Sequence, residues 1–478
     1  MSFDRYTAGN NVMRLVSRGI LGVVCFCAAV LVSPPAGAQN WSFDARNVGL
    51  GGIGSTSNIA LDMVDDERPF RAIVLPFGLF QILPNLPTFD PTSDDFDLVR
   101  AIEYAASPIH YIVGRNDGNA ASAFVTDLRN GTLNRDLNTY RGFDPPTSLS
   151  AQGLVSPTWG GTIRFSGDPN GPFQGVYLGA GPYVSLDTTA AIDPALAAVF
   201  ASAVPVYVPN TSFSISSDTL SQAAVAVTGG YRGRFALPGA AGFVRIEDPY
   251  GAPEGLYVGM NVHYLHGFSY EHFEPDARLD TNAQGFLTVD PAKGLPVTIV
   301  RTKSTTGDGF AIDAGVAAVI DKWELGLGVN GIANRIDWRS VRRTNYVLDS
   351  LFAGGDFVDL PAVPVADVRV KLPVDVRVHG AYNAGPWLAI AEYGHGYNGT
   401  TVRGGYEQRV GRIQLRGGAR YVTDRWEPTG GVGFNLTDGF GVDVGLFGTS
   451  ANLERKRHLA IAVSLRLMHP RYRQDGGR

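Results

Sequence analysis

Residues 323–330 read Trp323-Glu324-Leu325-Gly326-Leu327-Gly328-Val329-Asn330. Every odd position is large and apolar, and every even one is glycine, charged or polar. Successive side chains of a β-strand point to opposite faces. This octet is therefore a strand with one greasy face and one small, polar face. The pattern recurs on the N-terminal side. Residues 310–320 set Phe310, Ile312, Val316 and Ile320 against Asp313 and Gly315, and residues 256–264 set Leu256, Val258, Met260, Val262 and Tyr264 against Gly259, Asn261 and His263. Residues 223–237 set Ala223, Val225, Val227, Tyr231 and Phe235 against Thr228, Gly230, Arg232 and Arg234, and residues 175–187 set Val176, Leu178, Val184 and Leu186 against Gly179, Gly181, Tyr183 and Ser185. A slip of one residue would turn each face wrong side out, so the register is well specified.

Toward the C-terminus, windows 367–382, 387–394, 401–410, 412–423, 428–436, 440–448 and 457–467 continue the series. Their connections alternate between tight (Asn383–Gly385, Gly411, Thr437–Gly439) and looser ones. Short periplasmic turns and longer outer loops are the habit of a membrane barrel with lipid outside and a polar interior. The N-terminal half threads less regularly. Residues 188–219 and 273–296 are too long for periplasmic turns, and the count of about fourteen or fifteen windows must resolve to an even number in a bacterial barrel. A secreted sandwich also alternates, but it would bury its Trp, Tyr and Leu faces and wet its glycines. Here glycines and dense charge share the face opposite the apolar one, as on strands 401–410 and 412–423, which fits a crowded interior.

The chain has 478 residues, 44% hydrophobic and 18% charged, with 59 glycines. This is too apolar for disorder. A net charge of -5 gives no reason to expect a nucleic-acid partner. Arg14 and Arg18 precede an apolar run from Gly19 to Val32, followed by Ser33-Pro34-Pro35 and Ala36-Gly37-Ala38. A basic start, a short apolar core and an A-x-A site make residues 1–38 a secretory signal cut after Ala38. Both cysteines, Cys25 and Cys27, lie inside it, so the mature chain holds no disulfide and no thiolate metal site.

The remaining divisions are an N-terminal segment over 39–69, a barrel over 70–467 with a long insertion at 83–157, and a periplasmic tail over 468–478. Residues 70–82 carry a first strand interrupted by Pro76. The insertion holds a helix candidate from Asp94 to Ala105 with Ser93 as its cap. Ile192 to Val204 is apolar and helical after Pro194.

Several phrases resemble the FadL-type outer-membrane transport family and its TraF-like relatives. They are Asp44-Ala45-Arg46-Asn47-Val48-Gly49-Leu50-Gly51-Gly52, Gly309-Phe310-Ala311-Ile312-Asp313-Ala314-Gly315 with the octet above, and Leu372-Pro373-Val374 leading to Tyr382 and Trp387-Leu388-Ala389. The resemblance implies a fourteen-stranded barrel closed by a small N-terminal hatch over 39–69, and transport of hydrophobic molecules. At the place of that family's Asn-Pro-Ala motif this chain has Asn58-Ile59-Ala60, so the hatch lacks the family's proline.

The expected fold is thus all-β: a transmembrane antiparallel β-barrel of about fourteen strands with an N-terminal plug and helical loop insertions. Gly49 to Gly54 spells G-x-G-x-x-G, but a nucleotide site needs a strand before it and a helix after it. The glycines Gly49, Gly51 and Gly52, with Asn58, are assigned to the hatch instead. His263 and His266 fall on opposite faces of one strand, which disfavours a shared metal. The clusters Glu271, His272, Glu274 and Asp276, and Asp90, Asp94, Asp95 and Asp97, offer ligands for Ca²⁺ or for lipopolysaccharide-bound cations, against the plainer reading of solvated loops, which is favoured. Asp375 and His379 are too far apart along a strand to be direct partners, and there is no G-x-S-x-G. No catalytic residue, metal or cofactor is assigned.

The informative residues are charges on inward faces: Arg232, Arg234, Asp313, Glu324, Asp375, Arg377, Arg403, Glu407, Arg409, Arg412, Arg416, Arg420 and Asp443. They either lock the wall and plug by ion pairs or select a solute. The expected function is passive transport of small hydrophobic molecules across the outer membrane, with membrane lipid and solute as partners. The alternative is a plugged accessory barrel for secretion or conjugation, docking a protein through residues 83–157.

Overall fold

The structure, a computed structural model, describes residues 44–54, 58–68, 70–90, 110–114, 120–145, 147–156, 159–165, 172–237, 251–355, 357–396, 399–422, 425–449 and 457–468, with Ser93, Asp95, Asp97, Arg100 and Tyr104 besides. The signal over 1–38, nearly all of the Asp94–Ala105 helix and the tail beyond Met468 lie outside the described residues.

The wall is one antiparallel ladder. Its strands are β1 (Phe70–Leu75), β2 (Ser148–Val155), β3 (Trp159–Arg164), β4 (Phe173–Ile192), β5 (Ser212–Phe235), β6 (Gly255–Thr281), β7 (Thr306–Ile320), β8 (Trp323–Arg339), β9 (Asp375–Asn383), β10 (Trp387–Gly396), β11 (Gly399–Val410), β12 (Ile413–Val422), β13 (Arg425–Thr437), β14 (Phe440–Thr449) and β15 (His458–Met468). From β4 onward each pairs with the next, and β15 returns to pair with β1. β2 and β3 both pair with β4 in one register, Val155 opposite Val184 and Trp159 opposite Ala180. They share one wall position, so among the described residues the wall has fourteen positions. The two ends of the ladder meet at Glu67. This residue lies just ahead of β1, accepts a hydrogen bond from Arg164 at the end of β3, and lies 3.5 Å from Arg234. The fold is the all-β antiparallel barrel that the alternation predicts. No described helix is long and apolar enough to cross a membrane.

The alternation sorts side chains across this wall. Val227, Tyr264, Leu325, Leu327, Val378, Tyr393, Val402, Leu415 and Leu446 point outward and are exposed. Their neighbours Thr228, Glu324, Arg377, Glu392, Arg403, Gln414, Arg416 and Asp443 are buried. Exposed aliphatic and aromatic groups over buried charges invert a soluble protein, and only a lipid solvent makes that arrangement favourable. At one end the turns are tight: Asp321 and Gly411 adopt positive φ of 51° and 58°, and Gly385 of 86°. The long excursions lie at the other end.

Those excursions correct the irregular threading. Of residues 273–296, 273–281 are strand, and only 282–296 form the connection. β6 runs on to Thr281, and the chain returns as strand Val297–Ser304 paired against it, Ala277 opposite Val297. Likewise β4 extends to Ile192 and β5 begins at Ser212, with only a helix and a short link between. Beyond the bilayer the strands no longer need one greasy face, so the alternation that marks a membrane strand fades there. Window 367–382 also breaks: a short strand Val368–Val370 precedes β9, with Pro373 in the gap. At Pro76 the first strand stops. The pairing of β15 is resumed by Tyr111–Ile112, Ile112 opposite Ala460. The buried Gln81 amide spans the break, donating to the Ile112 carbonyl at 2.8 Å and accepting from its amide at 2.9 Å.

The extended strands carry a dome. Helix α3 (Ala120–Arg129) and helix α4 (Pro194–Ala201) pack on Phe213, Leu279, Leu348 and Leu351. Asp193 caps α4 by accepting from Ala195 N at 2.8 Å, and Pro194 takes the first helical position, where no amide hydrogen is needed. Phe200 at its end is 1% exposed and lies 4.9 Å, ring to ring, from both Phe124 and Phe143.

Candidate functional site: the hatch and the lumen

The segment before β1 folds into the barrel as two short helices. In the first, α1 (Ala45–Gly49), Asp44 accepts from Arg46 N at 3.1 Å. In the second, α2 (Ile59–Asp65), Asn58 accepts from Ala60 N at 3.0 Å. These are N-caps, which replace the amide partners a helix start lacks. Gly51 and Gly52 sit at φ of 80° and 75°, the left-handed region that glycine enters without strain. The G-x-G-x-x-G spelling is thus the turn that ends α1.

Each helix is seated on opposite parts of the wall. Around α1, Arg46 lies 3.0 Å from Glu407. Glu407 also meets Arg409 and Arg416, each at 2.8 Å, and Arg416 reaches Asp443 at 2.7 Å. Asp443 lies 3.5 Å from Arg466, whose guanidinium donates to Gln414 at 2.7 Å. Ser464 donates to Asp44 at 2.6 Å. Arg403 donates to the Gly52 carbonyl at 2.9 Å and lies 3.5 Å from Glu392. Glu392 is shared with Arg377 at 2.9 Å, which in turn holds Asp375 at 2.5 Å. A buried carboxylate that meets several guanidinium groups avoids the cost of an unpaired interior charge.

Around α2 the partners change. Asn58 lies 3.0 Å from His379, which lies 3.2 Å from Glu324. Arg68, just after the helix, bridges back to Glu324 at 2.6 Å. Arg232 lies 3.5 Å from Asp62 and donates to Asn261 at 2.7 Å. Wall glycines let the helices approach. A Cβ on Gly405 would lie 2.6 Å from the Leu50 backbone, and one on Gly315 would lie 2.9 Å from Ala60 N.

The wall residues singled out by the sequence thus divide. Arg232, Arg234, Glu324, Arg403, Glu407 and Arg416 surround the hatch, and Asp375 and Arg377 form a buried pair one layer away through Glu392. Asp313 stands just above the hatch. It lies 2.8 Å from His263, which lies 2.7 Å from Thr228, and it accepts from Gly331 N at 2.8 Å. Arg412 is corrected: it lies exposed in the Gly411 turn, outside the lumen, because the strand has already reached its end there. His266 faces outward to Asp308 at 3.2 Å, on the opposite face from His263. The group at His272 is on the extended β6, not in a loop, with Asp218 at 2.9 Å and Glu274 at 3.6 Å. The sequence reading missed the hatch's own charges, Asp44, Arg46, Asp62, Glu67 and Arg68, and the wall's Glu392 and Arg466, and it named His379 without giving it a part beside the hatch. Glu392 and Arg466 were readable, each being a lone charge at an inward position of an otherwise apolar strand.

Above this charged layer the lumen changes character. Leu265, Ala311, Ile336, Trp338, Tyr183 and Ala226 point inward and pack together with Val370. Trp338 is fully buried, its ring lying over Gly267 and Gly307, and its indole donates to Gln222 at 3.1 Å. From the hatch outward the interior is therefore charged, then apolar, then capped by the dome.

No family model matches the chain, and no curated protein matches it. Among solved structures it is similar to a TodX deltaS2S3 mutant monoaromatic hydrocarbon channel, with 11% identity and a TM-score of 0.31, covering 67% of this chain and 87% of that one. It is similar to the Ralstonia pickettii toluene transporter TbuX, with 10% identity and a TM-score of 0.32, covering 68% and 87%. It is similar, too, to the Pseudomonas putida toluene transporter TodX, with 9% identity and a TM-score of 0.29, covering 67% and 86%.

Proposed function

We propose that this chain is an outer-membrane barrel that passes small hydrophobic molecules passively, with residues 39–69 as its gate. The observation that carries the reading is the apolar layer in the lumen. A wall that only had to stay closed could be charged throughout, as its lower half is. A water-filled pore would be polar throughout. Inward Leu265, Ile336 and Trp338 between a charged floor and a dome give an apolar solute a favourable place inside an otherwise polar barrel. The ion pairs around α1 and α2 hold the gate shut in this state. No cofactor or energy source enters the scheme.

Uptake of labelled small hydrophobic solutes into liposomes holding the full-length chain, or the chain lacking residues 39–69, tests this. Faster flux without the segment is expected. Equal rates would remove the gating role, and no flux of any solute through either form would remove transport. In that event the accessory reading stands, and a stoichiometric partner lost on deleting residues 83–157 would support it.

A further inference from the structure

The outward face of the wall is not uniformly convex. Between β8, β9 and β10, near the end with tight turns, lies a groove of about 470 Å³. Its floor is Gly380, Ala389 and Ala391, and its sides are the rings of Trp323, Tyr382 and Trp387. The rings form a continuous rail: Trp323 to Tyr382 is 4.8 Å and Tyr382 to Trp387 is 5.2 Å between centroids. These residues belong to the outward rows of the ladder, Trp323 opposite Tyr382 and Gly380 opposite Ala391. The groove therefore opens toward the bilayer and not into the lumen. Lys322, in the turn before Trp323, is exposed and makes no ion pair among the described residues, although Asp321 precedes it and Glu254 accepts from Asp321 N at 2.8 Å. Its carbonyl accepts from Asn383 N at 2.8 Å, which ties this turn to the one between β9 and β10.

We propose that the groove is the seat of one bilayer phospholipid, with an acyl chain in the trough and the phosphate beside Lys322. The trough is continuous with the exposed apolar belt that already faces lipid, so its occupant comes from the same solvent. Aromatic rings mark the membrane–water interface of a barrel, where a lipid changes from chain to headgroup. The order of features matches that change: small apolar floor, aromatic rail, then a polar rim that holds Lys322 beside Asp321 and Glu254. A phosphate neutralises Lys322 there. A second barrel would meet the site with its own outward aliphatic rows and leave that cation unanswered.

The test uses the full chain, purified in mild detergent, delipidated and titrated with phosphatidylglycerol under native mass spectrometry. One tightly held lipid is expected on the unaltered protein. Ala391→Phe, which fills the trough, should weaken it roughly tenfold, and Lys322→Glu should weaken it as well. Val227→Phe, on the distant β5, should leave it unchanged. Heat-modifiable gel migration checks folding, and Ala389→Leu serves if Ala391→Phe does not fold. No retained lipid, or equal retention in the trough variants and in Val227→Phe, overturns the proposal. So does a disulfide-linked dimer of Ala391→Cys formed in membranes, which would seat a second copy in the groove.

Discussion

Arg46 in the first helix of the hatch and Glu407 on β11 lie 3.0 Å apart, both shielded from solvent. The same carboxylate serves Arg409 and Arg416, so a single side chain joins the gate to two arginines of the wall. Glu407→Gln removes the carboxylate from beside the buried Arg46 and leaves Arg416 with Asp443 alone, a loss of about 3–5 kcal/mol for a broken interior pair. The hatch should undock while the wall stays paired. Limited proteolysis should then cleave within residues 44–68, and single-channel conductance should rise. A hatch as resistant as before would refute the assignment of Glu407 as its anchor.

Two glycines on facing strands separate gate effects from wall effects. A methyl at Gly405 would press on the Leu50 backbone at 2.6 Å, whereas one at Gly417, on the outward face, meets nothing within 4 Å. Gly405→Ala should release the hatch and speed solute flux. Gly417→Ala should leave flux unchanged and shift thermal unfolding only slightly. Equal flux in the two variants contradicts the close seating of Leu50 against β11.

Asn58 performs two tasks at once, capping α2 and contacting His379. Asn58→Ala removes both, and loss of a cap alone costs about 1 kcal/mol. Hydrogen exchange over residues 59–65 should accelerate by roughly fivefold or more, while exchange over 45–49 stays as it is. Asn58→Ser, which restores the cap without the reach to His379, should recover part of the protection. Uniform acceleration across both helices would show that the hatch moves as one body.

In the dome, beyond the apolar belt, burial works to raise the Asp280 carboxyl, but hydrogen bonds from Ser212, Arg278 and Lys293 outweigh it and hold the group below its ordinary 3.8. A lowered acid contributes stability that is fully present above 3.8 and is lost as pH falls through its depressed value. Protease resistance of the loop around α4 should therefore fall in strongly acidic buffer while the wall persists. Asp280→Asn should remove that acid dependence and leave the dome weaker at neutral pH. A dome whose resistance is flat with pH in the parent chain would argue against this cluster.

The wall was legible because lipid forces a simple code on each strand. In Trp323 to Asn330 the bilayer demands apolar odd positions, and the crowded interior demands Gly326, Gly328 and Glu324. Where the chain leaves the bilayer the code lapses, and so β6 past Tyr270 passed for a loop. The inward charges were readable by face, yet their partners were not. Glu407 and Arg416 are neighbours across two strands, but Arg46 comes from 361 residues away. Arg412 shares their face by parity and still lies outside, because parity does not reveal where a strand ends. Asn58 was marked as a hatch residue, whereas its contact with His379 depends on how the hatch crosses the barrel.

Asp44 and Ser464 meet at 2.6 Å across 420 positions of chain. The first described helix of the chain thus has its berth on the last described strand. Until β15 has been added beside β1, the first helix has neither Ser464 nor the Asp443–Arg466 pair to settle against. A half-assembled wall would stay unstoppered, and stoppering itself would report that biogenesis is complete. Truncation within β15 should therefore leave the amino-terminal segment undocked and open to protease, however well the preceding strands pair.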